Sequence, residues 1–171
     1  MKNYFIKIFI VIFFFFLTSN SYANKIVYID MDYILNNSIK GKNISNILEN
    51  ENKLIIDKFL KTEQILKTEE QQIISKKNIL NDNDFKKLIQ DFKAKIDNFN
   101  FEKKNSIKLL NNKKINLTKE FIVEINPIFV EFAKKNSISI ILKKKDIIMG
   151  DSNLDKTLEF LNLVNEKIND K

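Results

Sequence analysis

Asp30 and Asp32 stand two residues apart at the end of an apolar run, the nearest this chain comes to paired acids or a metal site. A second set with chemical potential is Lys103, Lys104, Lys108, Lys113, Lys114 and Lys119, with no acid between the first and the last. Carboxylates two apart can share a cation, but Asp32 is also well placed to cap a helix beginning at Tyr33. The lysines act through charge alone. They make one side of their helix positive, which either attracts acidic partners or is ordinary solvated surface. Neither set is a catalytic constellation. The chain has no His and no Cys, which excludes imidazole proton transfer, thiol chemistry, disulfides and the common zinc sites. Gly41 and Gly150 are its two glycines, too few for a loop that cradles phosphate. The expectation is a protein that is not an enzyme, with no cofactor and no metal.

All 29 basic residues are Lys, and Asn, Ile and Phe crowd the chain, as an AT-rich coding sequence would give. Lysine abundance is therefore a weak functional signal. Several lysines stand four residues after an acid: Glu49/Lys53, Asp57/Lys61, Glu63/Lys67, Asp82/Lys86, Asp91/Lys95 and Glu131/Lys135. Each such pair is worth roughly 0.3 kcal/mol on a helix. They mark a solvated helix face.

That face belongs to the dominant pattern, a heptad stretch from Ile44 to Phe132. Phe59, Leu66, Ile73 and Leu80 recur every seven residues, led by Ile44, Leu48 and Ile55. After Asn81-Asp82-Asn83-Asp84, the series Phe85, Ile89, Phe92, Ile96, Phe99 steps by four and three. Two helices with narrow apolar stripes bury them against each other, and the Asn/Asp group at 81–84 supplies the reversal. The prediction is an antiparallel α-helical hairpin over 43–126, with limbs Asn43 to Leu80 and Phe85 onward, each about 60 Å long at about 1.5 Å per residue. On the return, Ile89, Ile96, Lys103, Leu110 and Leu117 keep one register with a polar member at Lys103, while Ile107, Lys114, Phe121 and Ile128 carry an offset register. Such a drift loosens a coiled coil. Pro127, the single proline, should kink or restart the helix, and Gly41 should be the joint where the arm begins. These two are the expected arm hinges.

A hairpin of that length must project from a body. Residues 1–23 read as a cleaved export signal: Lys2 and Lys7, the apolar run Ile8 to Leu17, then Ser21-Tyr22-Ala23 before a cut after Ala23. About 150 residues remain, enough for one small domain plus the arm. Within 24–42 and 127–171 three short strands are expected, at Asn24 to Asp30, Ile138 to Leu142 and Ile147-Ile148-Met149, the last two joined by a turn at Lys143 to Asp146. Short helices follow at Tyr33 to Asn37 and from Asp155, where Leu158, Leu161, Val164 and Ile168 form a stripe. Asn136 should close the returning limb as a left-handed cap. The fold class is α+β, mainly α. A three-stranded sheet has open edges, which calls for closure by oligomerisation.

In this order of elements the chain resembles the Skp/OmpH periplasmic chaperones. The resemblance rests on Lys25-Ile26-Val27-Tyr28-Ile29-Asp30, Gly41-Lys42, the run from Phe132 to Leu142, and Leu154-Asp155 followed by Thr157. It departs at Asn136, where the family often has Gly, and in arms rich in Lys, Asn and Ile. It implies a homotrimer whose strands close one β-barrel body, with Ile26, Tyr28, Ile138, Ile140 and Leu142 as trimerisation residues. It also implies an ATP-independent holdase of unfolded outer-membrane β-barrel proteins in the periplasm, with the arms as the client-binding part. On those arms Lys103, Lys104, Lys108, Lys113 and Lys114 can draw acidic clients or anionic lipid head groups. The alternatives are a passive coiled-coil spacer of the envelope, which would need no strand at each end of the hairpin, and a nucleic-acid binder. The export signal, the lack of Arg and the lack of a basic-aromatic groove speak against the last.

Overall fold

A computed structural model of the chain describes residues 25–169, so the export signal and its cleavage site lie outside the described residues. The elements in order are β1 (Lys25–Ile29), α1 (Met31–Asn37), α2 (Ile39–Ser75), α3 (Asp82–Lys135), β2 (Ile138–Lys143) and α4 (Thr157–Asn169), with 3-10 turns at Lys144–Asp146 and Ser152–Leu154. Strands β1 and β2 pair in parallel, Ile26 opposite Ile140 and Tyr28 opposite Leu142. Parallel strands need a crossover, and here the crossover contains the entire arm. Among the described residues the sheet has two strands, not the expected three. After β2 the amide of Ile147 bonds back to the Lys144 carbonyl, and β1 spends part of its free edge at Tyr28, whose carbonyl accepts from Lys156 N at 3.0 Å. Ile147 to Met149 therefore find no strand partner within the described residues. The lysine triplet is divided between the end of β2 and this turn, so it is not a hairpin tip.

Helix α1 starts at Met31, capped by Asp30 and not Asp32: the Asp30 carboxylate accepts from Tyr33 N at 2.9 Å. With β1 ending at Ile29, the first acid after the strand is the one positioned to cap. The change of direction into α2 falls at Ser38, whose hydroxyl accepts from Gly41 N at 3.1 Å. Gly41 is thus inside the first turn of α2 and not a joint between segments. A Cβ there would lie 1.7 Å from the Leu35 carbonyl oxygen, so glycine is what lets α1 and α2 cross so closely.

Helix α2 ends at Ser75, and the reversal runs through Lys76 to Leu80. The Asn/Asp group caps the next helix instead of forming the turn: Asn81 accepts from Asp84 N at 3.0 Å. Helix α3 then continues unbroken through Pro127. The proline neither restarts it nor ends it, and the bond it cannot make is the one toward Val123. At the far end Asn136 keeps a negative φ, its side-chain amide donating to the Phe132 carbonyl at 3.0 Å, and Ser137 takes the left-handed conformation one residue later.

The core lies where the ends of the arm meet the sheet and α4. Val27, Ile29, Ile34, Phe121, Ile125, Phe132, Phe160 and Val164 are buried there. Phe160 stacks on Phe129 at 4.0 Å and meets Phe132 edge-on at 5.4 Å. Along the arm Phe59, Leu66 and Ile73 are buried at the expected seven-residue spacing, with Phe59 edge-on to Phe99 at 5.8 Å. On α3, from the tip to Leu117, the half-buried positions are Phe85, Leu88, Phe92, Ile96, Phe99, then Glu102 and Ser106, then Leu110 and Leu117. Leu88 stands where Ile89 was expected, and Glu102 and Ser106 stand where Lys103 was. Steps of three and four choose between neighbouring residues by where the facing helix sits, and the sequence of one limb does not carry that information.

Candidate functional site

No catalytic cluster exists to describe among the described residues, so the candidate sites are surfaces. Their character is decided by which face of each element the sequence leaves uncovered.

On the body, β1 and β2 send Val27, Ile29 and Ile141 toward the helices and the alternate residues to the opposite face. On that outer face Ile26, Ile140 and Leu142 are exposed. Tyr28 and Ile138, expected with them, are buried within the chain. The tyrosine is covered by the segment after the 3-10 turn: its hydroxyl donates to the Asp151 carbonyl at 3.1 Å, and Gly150 packs against its ring. These two residues therefore offer little surface to a second copy. The same segment holds Ile148 and Met149, which are 105% and 90% exposed, an apolar pair that reasoning from the sequence placed in a strand of this chain.

A cleft of about 450 Å³ opens between Ile29 to Asp32, the Ile122 and Phe129 side of α3, and Ile141 to Lys145. Lys144 bonds the Asp155 carboxylate at 2.8 Å, which raises the Lys144 pKa above its ordinary value. Burial pushes Asp155 up, but Lys144 and the hydroxyl and amide of Thr157 outweigh it, leaving that carboxyl below the usual range. Asp155 also carries the bridge to Tyr28. This cluster fixes the start of α4 against β1.

On the arm, four ion pairs join α2 to α3: Lys40–Glu124 at 3.2 Å, Glu51–Lys113, Lys58–Glu102 at 3.0 Å and Glu69–Lys95. As the number rises on α2 it falls on α3. Among the described residues none of the six i,i+4 pairs read from the sequence closes; Lys95 and Glu131 turn to Glu69 and Lys167 instead. On α2 the paired residues are spaced 11, 7 and 11 apart, about three, two and three turns, so all four pairs lie on one flank of the seam. The Lys58 ammonium holds the Glu102 carboxyl below its ordinary range by hydrogen bond and charge.

The five lysines singled out on α3 do not form one face. Lys113 sits on the paired flank, bound to Glu51. Lys103 and Lys114 follow Phe99 and Leu110 by four residues and lie on the opposite flank, Lys103 with its ammonium 5.9 Å from the Phe99 ring centre. Lys104 and Lys108 point away from α2, and neither has a carboxylate partner among the described residues. A run of lysines wraps around a helix unless its spacing repeats at three and four.

A family model described as outer membrane protein (OmpH-like) matches residues 25–163. The fold is similar to that of a crystal structure from Caulobacter crescentus, described as a candidate outer membrane chaperone (OmpH-like), with a TM-score of 0.78. The two chains are 12% identical, and the match covers 85% of this chain and 86% of that one. No curated protein matches the chain in sequence.

Proposed function

Since this chain belongs to the OmpH-like outer membrane protein family, we propose that it is an ATP-independent holdase that binds unfolded outer-membrane β-barrel proteins in the periplasm and keeps them from aggregating. In this reading residues 1–23 are removed on export, α2 and α3 form an antiparallel hairpin arm, and the body assembles three copies. The observation that carries the reading is the arm itself: two helices far longer than a globular domain needs, joined to each other by one narrow seam, with large apolar side chains such as Leu54, Phe101 and Val123 left exposed. Many weak apolar contacts from several arms hold a client by avidity while each exchanges quickly, and no nucleotide or catalytic group is needed.

Assembly is supported by the outer sheet face and the Ile148-Met149 pair, an apolar surface spread over two adjacent segments. Burying such side chains is worth roughly 1.5 to 3 kcal/mol each. Ile140→Asp should dissociate the assembly in sedimentation. The functional test is light scattering of an unfolded outer-membrane β-barrel protein diluted from urea into the purified protein without nucleotide. Suppression at near-stoichiometric ratio is the expected result. A scattering curve identical to that without the protein would instead favour a passive spacer.

A further inference from the structure

Helices α2 and α3 are unlike on the sides they turn away from each other. About half a turn from its seam, α2 presents Asn46, Asn50, Lys53, Asp57, Leu60 beside Lys61, Gln64, Thr68, Gln71 and Ser75, all exposed, with Leu60 the single apolar residue among them. The corresponding row on α3 is Phe101, Lys104, Lys108, Asn112, Ile115, Lys119 and Val123, spaced by three and four and also all exposed. Phe101 is 68%, Ile115 50% and Val123 73% exposed, and the row contains three lysines and no acid. Single exposed apolar residues on a helix need no explanation, but a row that alternates three of them with cations and holds no acid, against a row on the other limb with one apolar residue and the acid Asp57, sets the two sides of the arm apart. Of the exposed apolar residues of α2, Leu54 and Ile65 stand toward the flanks of the seam, and Leu60, beside Lys61, reaches the outer side.

We infer that the arm is one-sided: the outer row of α3 from Phe101 to Val123 is the docking surface for an unfolded polypeptide of net negative charge, and the outer row of α2 faces solvent. This rests on the holdase reading and assigns the partner to one side of the arm. The occupant follows from complementarity. Three cations about one to four turns from one another, with no carboxylate in the row, attract an acidic chain, and the apolar residues between them give its side chains somewhere to be desolvated. A folded partner would present a fixed complementary patch, whereas this row of separated small contacts suits a chain without fixed structure. The four ion pairs on one flank leave the row untouched, because Lys104, Lys108 and Lys119 take part in none of them.

The test is photo-crosslinking with the full chain expressed from Met1 and purified. Benzoylphenylalanine replaces Phe101, Lys108, Ile115 or Lys119 on α3, and Asn50, Asp57, Gln64 or Gln71 on α2. The probe is a urea-unfolded outer-membrane β-barrel protein of net negative charge. Crosslinks at the α3 positions should exceed those at the α2 positions by about tenfold, the contrast expected when binding energy is concentrated on part of a surface. In stopped-flow capture at low ionic strength, Lys104→Gln/Lys108→Gln/Lys119→Gln should be slowed about tenfold, and Lys53→Gln/Lys61→Gln should not. Helicity by circular dichroism shows that each variant is folded. Equal crosslinking on both rows, or crosslinking confined to α2, overturns the inference while leaving the holdase reading intact, provided the unmodified protein still suppresses aggregation. Failure of the unmodified protein to suppress aggregation removes the holdase reading and the inference with it. Row-dependent binding to phosphatidylglycerol vesicles with no crosslink to the unfolded chain also overturns it and makes the occupant a lipid surface.

Discussion

Near the body, α3 buries Phe121, Ile125, Ile128 and Phe132 against the sheet and α4, whereas farther out along the same helix Phe85, Leu88, Phe92 and Ile96 are only half covered. The body packs each side chain from several directions. The arm packs each from one, and midway along, Glu102 and Ser106 replace apolar residues in the seam. The same helix is thus a core element at one end and part of a two-helix ribbon at the other. Stability is concentrated at the body end, and the arm is the part that opens first. In the proposed holdase reading that division would let the arm adapt to a client while the body stays folded.

The largest expected effect tests the body. Phe160→Ala removes a fully buried ring held between Phe129 and Phe132, and it should cost about 3 to 5 kcal/mol in urea unfolding. Phe59→Ala, in the arm seam, should cost about half as much, because a ribbon covered from one side collapses around the gap more readily than a core does. Equal losses would erase the distinction between body and arm. Gly41→Ala comes next. Its Cβ meets the Leu35 carbonyl, so the α1–α2 crossing must open, at about 1 to 3 kcal/mol, even though alanine is the better helix former. If Gly41→Ala is stabilising, the close crossing is not a constraint.

Smaller still is the Glu51–Lys113 pair, whose side chains are partly exposed. A double-mutant cycle with Glu51→Gln and Lys113→Gln should give a coupling below about 1 kcal/mol, falling as salt shortens the screening length. The smallest effect is the pH dependence of the α4 anchor. Asp155 has its folded pKa depressed, so its contribution is present above the ordinary carboxylate pKa and is lost as pH falls through the lower folded value. Lys144 has its folded pKa raised, so its contribution is present below the ordinary lysine pKa and is lost as pH rises through the higher folded value. Between those windows stability should be flat with pH. Asp155→Asn should flatten the acid limb, read as thermal midpoint against pH, and an unchanged acid limb would show that Asp155 is not its source.

Much of the arm was legible because a seven-residue repeat can bury one stripe in only one way: Phe59, Leu66 and Ile73 are where the spacing put them. What failed was decided by the facing partner. Whether Glu102 or Lys103 enters the seam depends on the position of α2, and whether a lysine bonds the acid four residues back or one across the seam depends on the same thing. The body misled for a related reason. The pattern of Ile147 to Met149 is strand-like, but a strand needs a partner edge, and among the described residues these find none. Tyr28 looked like an outer-face residue until a segment more than a hundred residues later in the chain folded over it. Among the surface rows, the contrast between the outer sides of α2 and α3 was available from spacing alone, once the seams were fixed.

The central claim is that the arm, and not the body, protects the client. The direct measurement is aggregation suppression of an unfolded outer-membrane β-barrel protein by a chain in which residues 53–114 are replaced by a short turn joining Asn52 to Ile115, at the level where the full chain's Glu51–Lys113 pair, lost with the deletion, shows α2 and α3 side by side. Sedimentation first establishes that the shortened chain retains the assembly of the full one. Loss of protection by that assembled, armless body is the predicted result, and protection equal to that of the full chain would contradict it.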